Sequence, residues 1–221
     1  MINEKEENKS KYNVEFLGEK YPQNFLTYKV IVLGSYGVRK TSIIFRLMNK
    51  EVDTDYAPTI SADIKNFQVK VNDKIKQIQI WDTCGSDDFV LNTPNLFKNA
   101  FIIILVFAIN DEKSFKDLEK WYNILKEYTY DNTIFLIGNK SDLREERKVE
   151  SEKAEGFKNS YDNIKMFFET SAKNGENMDK LLENIAISIY EKDDIENEMK
   201  DKISIVLNKK NHKKRKKKRI C

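Results

Sequence analysis

Two cysteines, one histidine and three prolines are all that 221 residues hold of these types. Cys84 and Cys221 are too few for a disulfide framework, and with His212 they form no spacing suited to zinc. A reducing compartment follows as the simpler setting. His212 sits in a charged tail as a bystander. Pro22, Pro58 and Pro94 all fall in expected loops. Long apolar runs are also missing. The longest, "AFIIILVFAI" over residues 100–109, is too short to span a bilayer and reads as a buried strand. The start, "MINEKEENKSKYN", is polar and contains acids, so neither a secretory signal nor an arginine-rich transit peptide is expected. No internal repeat is present.

What is there suits one domain with tails. Hydrophobic residues make up 40%, enough for a core, and charged residues 34%, enough for a well-solvated surface. The net charge of +3 hides an asymmetry. Nine Lys/Arg and no acid lie between Lys209 and Arg219, which leaves 30 basic against 36 acidic residues elsewhere. The body is acidic, and only the tail advertises an anionic partner.

Residues 1–26 show no periodicity and read as a flexible extension. "YKVIVLG" (28–34) is a buried strand ending in glycine, and "KTSIIFRLMN" (40–49) carries a helical apolar stripe. "IKNFQVKV" and "KIKQIQIWD" alternate on either side of Asn72-Asp73, the pattern of an antiparallel hairpin. Strands near 101–108, 133–138 and 165–169 then alternate with helices near 112–128, 150–160 and 177–191. This order indicates an α/β sandwich, a mostly parallel sheet covered by helices on both faces. Ligands bind such sheets outside the carboxyl ends of the strands, so chemistry is expected in the loops there.

Four such loops carry signals. "GSYGVRKTS" (34–42) joins a strand to a helix and nearly spells the phosphate-binding pattern, with Gly34, Lys40 and Thr41 in register and Arg39 where glycine belongs. Successive backbone N–H groups of Ser35, Tyr36, Gly37, Val38 and Ser42 with a helix N-terminus would cradle phosphate. Lys40 would reach the outer phosphates and Thr41 would ligate Mg2+. The alternative is an ordinary strand–turn–helix. "IWDTCG" (80–85) places Asp82 at a strand end, suited to Mg2+, and Gly85 where its N–H could meet a terminal phosphate. An acidic turn is the plainer reading. "GNKSD" (138–142) offers Asn139, Lys140 and Asp142. A carboxylate accepts the guanine N1–H and amine together, adenine has no such pair, and Lys140 would lie over the base. "ETSAK" (169–173) brings Ser171, Ala172 and Lys173, with the Ala172 N–H placed for guanine O6. Each of the last two could instead cap a helix.

Together the four occur in the order and context of one family. The chain resembles a Ras-superfamily small GTPase, most similar to the Rab branch, over about residues 27–191. "QIQIWDTCG", "DEKSFKDLEKWYNIL" and "FLIGNKSDL" carry the Rab likeness, and Thr59 in "YAPTIS" lies 19 residues after Lys40, at the spacing of the family's switch threonine. The resemblance implies a P-loop NTPase fold with a six-stranded, mostly parallel sheet. It implies a switch that binds GTP or GDP with Mg2+ held by Thr41, Thr59 and Asp82, and that hydrolyses GTP. Loops 51–62 and 83–98 would respond to the γ-phosphate. Exchange factors, GTPase-activating proteins, effectors and a prenyl escort would be partners in vesicle traffic. No nucleic-acid partner is expected, and the protein would act as a monomer.

The family pattern is broken at several places. Ser86 stands at the position of the glutamine that orients the attacking water, so weak hydrolysis is expected. Val52 replaces an aromatic that packs on the base, and Cys84 replaces alanine. Arg39 either turns outward, pairs with a phosphate or occupies the phosphate space. Two readings stay open: a GTP/GDP switch with reduced affinity, or a pseudo-GTPase interaction module that has lost nucleotide binding. An ATP-using enzyme is a third class, disfavoured by Asp142. Residues 192–221 form a polybasic tail ending at Cys221. With a prenyl group on Cys221, residues 209–219 would hold the protein on an anionic membrane at the cytosolic face. Cys221 has no C-a-a-X box and no paired cysteine, so a nuclear localisation patch or a solvated end are the alternatives.

Overall fold

The computed structural model describes residues 11–19, 26–52, 59, 61–86, 93–128 and 132–195. Seven strands form one sheet in the order β1-β3-β4-β2-β5-β6-β7. They are β1 Val14–Gly18, β2 Thr27–Leu33, β3 Asp63–Val71, β4 Lys74–Asp82, β5 Ala100–Ala108, β6 Thr133–Asn139 and β7 Ile164–Thr170. The helices are α1 Lys40–Leu47, α2 Glu112–Tyr128 and α3 Ser151–Asn159, with α4 running from 178 to 195, the last described residue.

β2, β4, β5, β6 and β7 are parallel, so their carboxyl ends share one edge of the sheet. β5 is apolar throughout because it lies between β2 and β6 and is covered on both faces. Alternate residues of each strand face opposite layers. Val30, Val32, Ile104 and Val106 pack under α1 and α4 with Ile43, Leu47, Leu181 and Ile185. Ile31, Leu33, Ile103 and Leu105 pack under α2 and α3 with Leu118, Trp121, Leu125 and Ala154. β3 and β4 pair over nine residues, from Asp63 opposite Asp82 to Val71 opposite Lys74. Asn72 turns between them at φ +54°, as the Asn-Asp hairpin signal requires.

The sheet has one strand more than the six expected. The extra strand, β1, comes from the segment read as a flexible extension and pairs antiparallel with β3 at the sheet edge. Three alternating positions, Tyr12, Val14 and Phe16, are too short a run to register as periodicity. Residues 1–10, 20–25 and the tail from 196 to Cys221 lie outside the described residues, as do Pro22, Pro58 and parts of both expected switch loops (53–58, 60 and 87–92). Pro94 opens a short 3-10 turn, Pro94–Leu96.

Candidate functional site

The loop after β2 turns sharply through Gly34 and Arg39 into α1. Gly34 has φ +147°, and a Cβ there would lie 2.1 Å from the Val106 carbonyl oxygen of β5, so only glycine fits. Arg39, directly before α1, sits at φ +69° and ψ +44°, the left-handed region that glycine enters freely. The arginine therefore holds a turn that favours glycine. No side chain caps α1, and no acid lies in its first turn, so its leading N–H groups are available to an anion. Lys40 is buried and donates from Nζ to the carbonyls of Gly34 (2.8 Å) and Ser35 (3.1 Å). Burial pulls its pKa down to about 8, although Asp82 and Cys84 pull the other way. Ser35 Oγ donates to Asp117 at 2.9 Å and accepts from Trp121 Nε1 at 3.3 Å, tying the loop to α2.

Beside the lysine lies a knot of oxygens. Thr41 Oγ1 donates to Asp82 Oδ2 at 2.5 Å and stands 3.0 Å from Thr59 Oγ1, which itself reaches Asp82 Oδ2 at 3.2 Å. Asp82 Oδ1 is buried with no partner, and burial raises the carboxyl pKa. An orphaned buried carboxylate oxygen next to two hydroxyls is a set of hard donors that suits Mg2+. Among the described residues no group of three or more His, Cys, Asp or Glu side chains could hold a metal ion, so a cation here needs the hydroxyls and further ligand oxygens. Gly85 touches the phosphate loop: a Cβ would lie 2.2 Å from the Tyr36 nitrogen. Thr83 fastens this loop to β2 through the Val32 carbonyl at 2.7 Å. Cys84 is a buried free thiol, and Ser86 is exposed.

A cavity of about 300 Å³ opens between the phosphate loop and the ends of β6 and β7. Arg39, Ser42 and Val52 line one side, and Asn139, Lys140, Asp142, Leu143, Ala172 and Lys173 the other. The structure thus gathers Val52, Asn139, Lys140, Asp142, Ala172 and Lys173 around one space, while Ser171 is buried off the cavity wall and bonds to Asp142. Two of them also bond within the protein. Asn139 is 1% exposed and its amide joins three segments, donating one N–H to Val38 O at 2.9 Å and accepting from Thr170 Oγ1 (3.3 Å) and the Ala172 N–H (3.2 Å). The Ala172 N–H, expected to face guanine O6, is committed to Asn139. Asp142 accepts from Ser171 Oγ at 2.5 Å and lies 3.9 Å from Lys173 Nζ, so its carboxylate is aimed by its neighbours. Lys140 has φ +69°, and burial together with the Arg39 charge lowers its pKa.

Several supporting residues gave no signal in the sequence. Arg46 of α1 donates to the carbonyls of Ala172 (3.1 Å) and Lys173 (2.7 Å), fixing the last loop from below. Glu176 accepts from Ser141 Oγ at 2.6 Å and pairs with Arg144.

The model of the Ras family matches residues 29–191. This chain belongs to the Ras family. It is 36% identical over 163 residues to the Ras-related protein Rab-13 of Rattus norvegicus, covering 73% of this chain and 79% of that one. It is 33% identical over 182 residues to the Ras-related protein Rab-3A of Homo sapiens, covering 79% of each. As a Ras-family small GTPase similar to Rab proteins, it is a GTPase and, at the level of the family, a switch in membrane traffic. Ras-family proteins bind GTP and GDP, typically with Mg2+.

Proposed function

We propose that this chain is a Rab-like guanine-nucleotide switch with weakened nucleotide affinity and slow hydrolysis. The observation that supports it best is the oxygen knot, because Thr41, Thr59 and Asp82 converge with one carboxylate oxygen unpaired. A protein that had given up nucleotide would gain nothing from that buried orphan. Mg2+, when bound, would neutralise phosphate charge. Thr41 and Asp82 would hold it, and Thr59 would join only while its loop is closed. Lys40 would neutralise the outer phosphates from beneath the loop. Asp142, held by Ser171, would select guanine. Catalysis in this class is positioning and charge stabilisation. Ser86 is too short to orient water as a glutamine does. In single-turnover assays, Ser86→Gln should speed GTP hydrolysis by at least about tenfold, and equal rates would remove that part of the reading. Labelled-GDP binding that strengthens with Mg2+ is the expected result for the switch itself.

The alternative is a pseudo-GTPase module. Arg39 on the cavity wall and the commitment of the Ala172 N–H to Asn139 favour it. Nucleotide extracted from purified protein supports the switch, and its absence supports the module. Residues 209–219 with a prenylated Cys221 would seat the protein on the cytosolic face of a membrane, served by a prenyl escort, exchange factors, GTPase-activating proteins and effectors. No helix among the described residues is long and apolar enough to cross a membrane. Mass spectrometry of the native C-terminus checks the lipid.

A further inference from the structure

The phosphate loop is held to α2 by one side chain at its start. Ser35 Oγ donates to Asp117 Oδ2 at 2.9 Å and accepts from Trp121 Nε1 at 3.3 Å. Asp117 and Trp121 are four residues apart in α2, so they lie one turn apart on the same face. A serine hydroxyl has one proton to donate, and here the carboxylate receives it while the indole N–H uses a lone pair. Trp121 is 1% exposed and packs with Leu33, Ile103, Leu118 and Leu125, so it cannot follow a moving loop. A buried indole N–H needs a partner, and withdrawal of Ser35 would strand it. The carbonyl of the same serine accepts from Lys40 Nζ at 3.1 Å. Its carbonyl carbon lies against Gly85, where an added Cβ would come within 2.5 Å of it. Ser35 is thus a junction between α2, the lysine and the loop after β4. Neither Asp117 nor Trp121 lines the cavity or joins the oxygen knot.

We propose that, with the chain acting as a guanine-nucleotide switch, Asp117 is a positioning residue. Through Ser35 it fixes the phosphate loop on α2 and so sets how long nucleotide stays bound. The N–H groups that follow, of Tyr36, Gly37 and Val38, would face phosphate, and Ser35 anchors the loop just before them. With the hydroxyl clamped, the loop is shaped before nucleotide arrives, and less freedom is lost on binding. Gains of this kind show mainly in the dissociation rate. The same anchor places the carbonyl on which Lys40 rests and the backbone that Gly85 touches. Loss of the Asp117 carboxylate leaves the hydroxyl with the longer Trp121 bond. The loop, the lysine and the Gly85 contact would then loosen together, although Asp117 itself touches no ligand.

The test compares the full-length wild type with Asp117→Ala, Asp117→Asn, Ser35→Ala and the double variant Asp117→Ala/Ser35→Ala, each loaded with fluorescent GDP. Asp117→Ala should release GDP at least about tenfold faster than the wild type. Asp117→Asn, whose amide oxygen still accepts from Ser35, should stay within about threefold of it. Because Asp117 acts through Ser35, the double variant should release GDP no faster than Ser35→Ala alone. Wild-type release from Asp117→Ala, or additive effects in the double variant, overturns the proposal. A second readout needs no nucleotide. By NMR, the Trp121 indole N–H of Asp117→Ala should exchange with solvent at least about tenfold faster than that of the wild type. Equal exchange would show that the carboxylate does not hold the loop. If the wild type takes up no GDP, the switch reading falls, and the indole exchange decides the clasp.

Discussion

Arg39 concentrates the tension in this protein. A side chain in the left-handed region costs about 1–2 kcal/mol, whereas glycine there has no steric penalty but loses about 0.5–1 kcal/mol more chain entropy on folding. Arg39→Gly should therefore shift urea stability of the nucleotide-free protein by no more than about 1 kcal/mol. GDP affinity should rise far more, since the substitution clears the cavity wall. A large stability change with no gain in affinity would mean that strain, and not exclusion, is the arginine's effect. Asn139 gives the opposite expectation. Asn139→Ala leaves the Val38 carbonyl and the Ala172 N–H without the partners they now have in a buried setting. Each orphaned group costs about 1–3 kcal/mol, so the loss should be about 3 kcal/mol in chemical denaturation, in the absence of any nucleotide. A neutral result would show that the amide is held for ligand and not for the fold.

At the scale of elements, the clasp between β7 and α3 is the clearest case. Arg147 gives two hydrogen bonds of 2.7 Å to Glu169, and Ser151 Oγ gives a third of 2.7 Å. Burial alone would raise the Glu169 pKa, but the Arg147 and Ser151 bonds outweigh it and hold the carboxyl below its ordinary value of 4.5. The unfolded chain then takes up the proton first as pH falls, so this stability is present above about pH 4.5 and is lost below it. Glu169→Gln should cost about 1–3 kcal/mol at pH 7, with the difference from wild type shrinking as urea melts are repeated towards pH 3. A constant difference would place the effect in packing. Elements with long, regular patterns were legible beforehand. α2 matches its expected span of 112–128, and the Asn72 turn falls where two alternating runs meet, because periodicity over many residues averages out local noise. β1 and the dual use of Asn139 were not. Three alternate positions carry too little signal, and whether an amide faces a ligand or its own loops depends on contacts 33 and 101 residues away along the chain.

At the scale of the whole molecule, the described parts of the two terminal segments meet at one edge of the sheet. α4 is pinned there by two neighbouring acids that look alike in sequence and differ in setting. Asp193 pairs with Lys76, whose side chain is only 5% exposed, while Asp194 pairs with Lys74, which is 51% exposed. Burial would raise the Asp193 pKa, yet the bonds from Lys76 and Tyr28 hold it below its ordinary value. Removing Asp193 strands a buried ammonium between the rings of Tyr28 and Tyr190, at 5.7 and 5.5 Å. Breaking such a pair costs about 3 kcal/mol, whereas a solvated surface pair contributes about 0–1 kcal/mol. Asp193→Ala should therefore destabilise the protein several times more than Asp194→Ala, and the helical amides of 190–195 should lose protection first. Adding Lys76→Met to Asp193→Ala should restore most of the loss, because the stranded charge goes with it. Equal costs for the two alanine variants would mean that α4 is held by its apolar face, Leu181, Ile185 and Ile189, and that the ion pairs only decorate it.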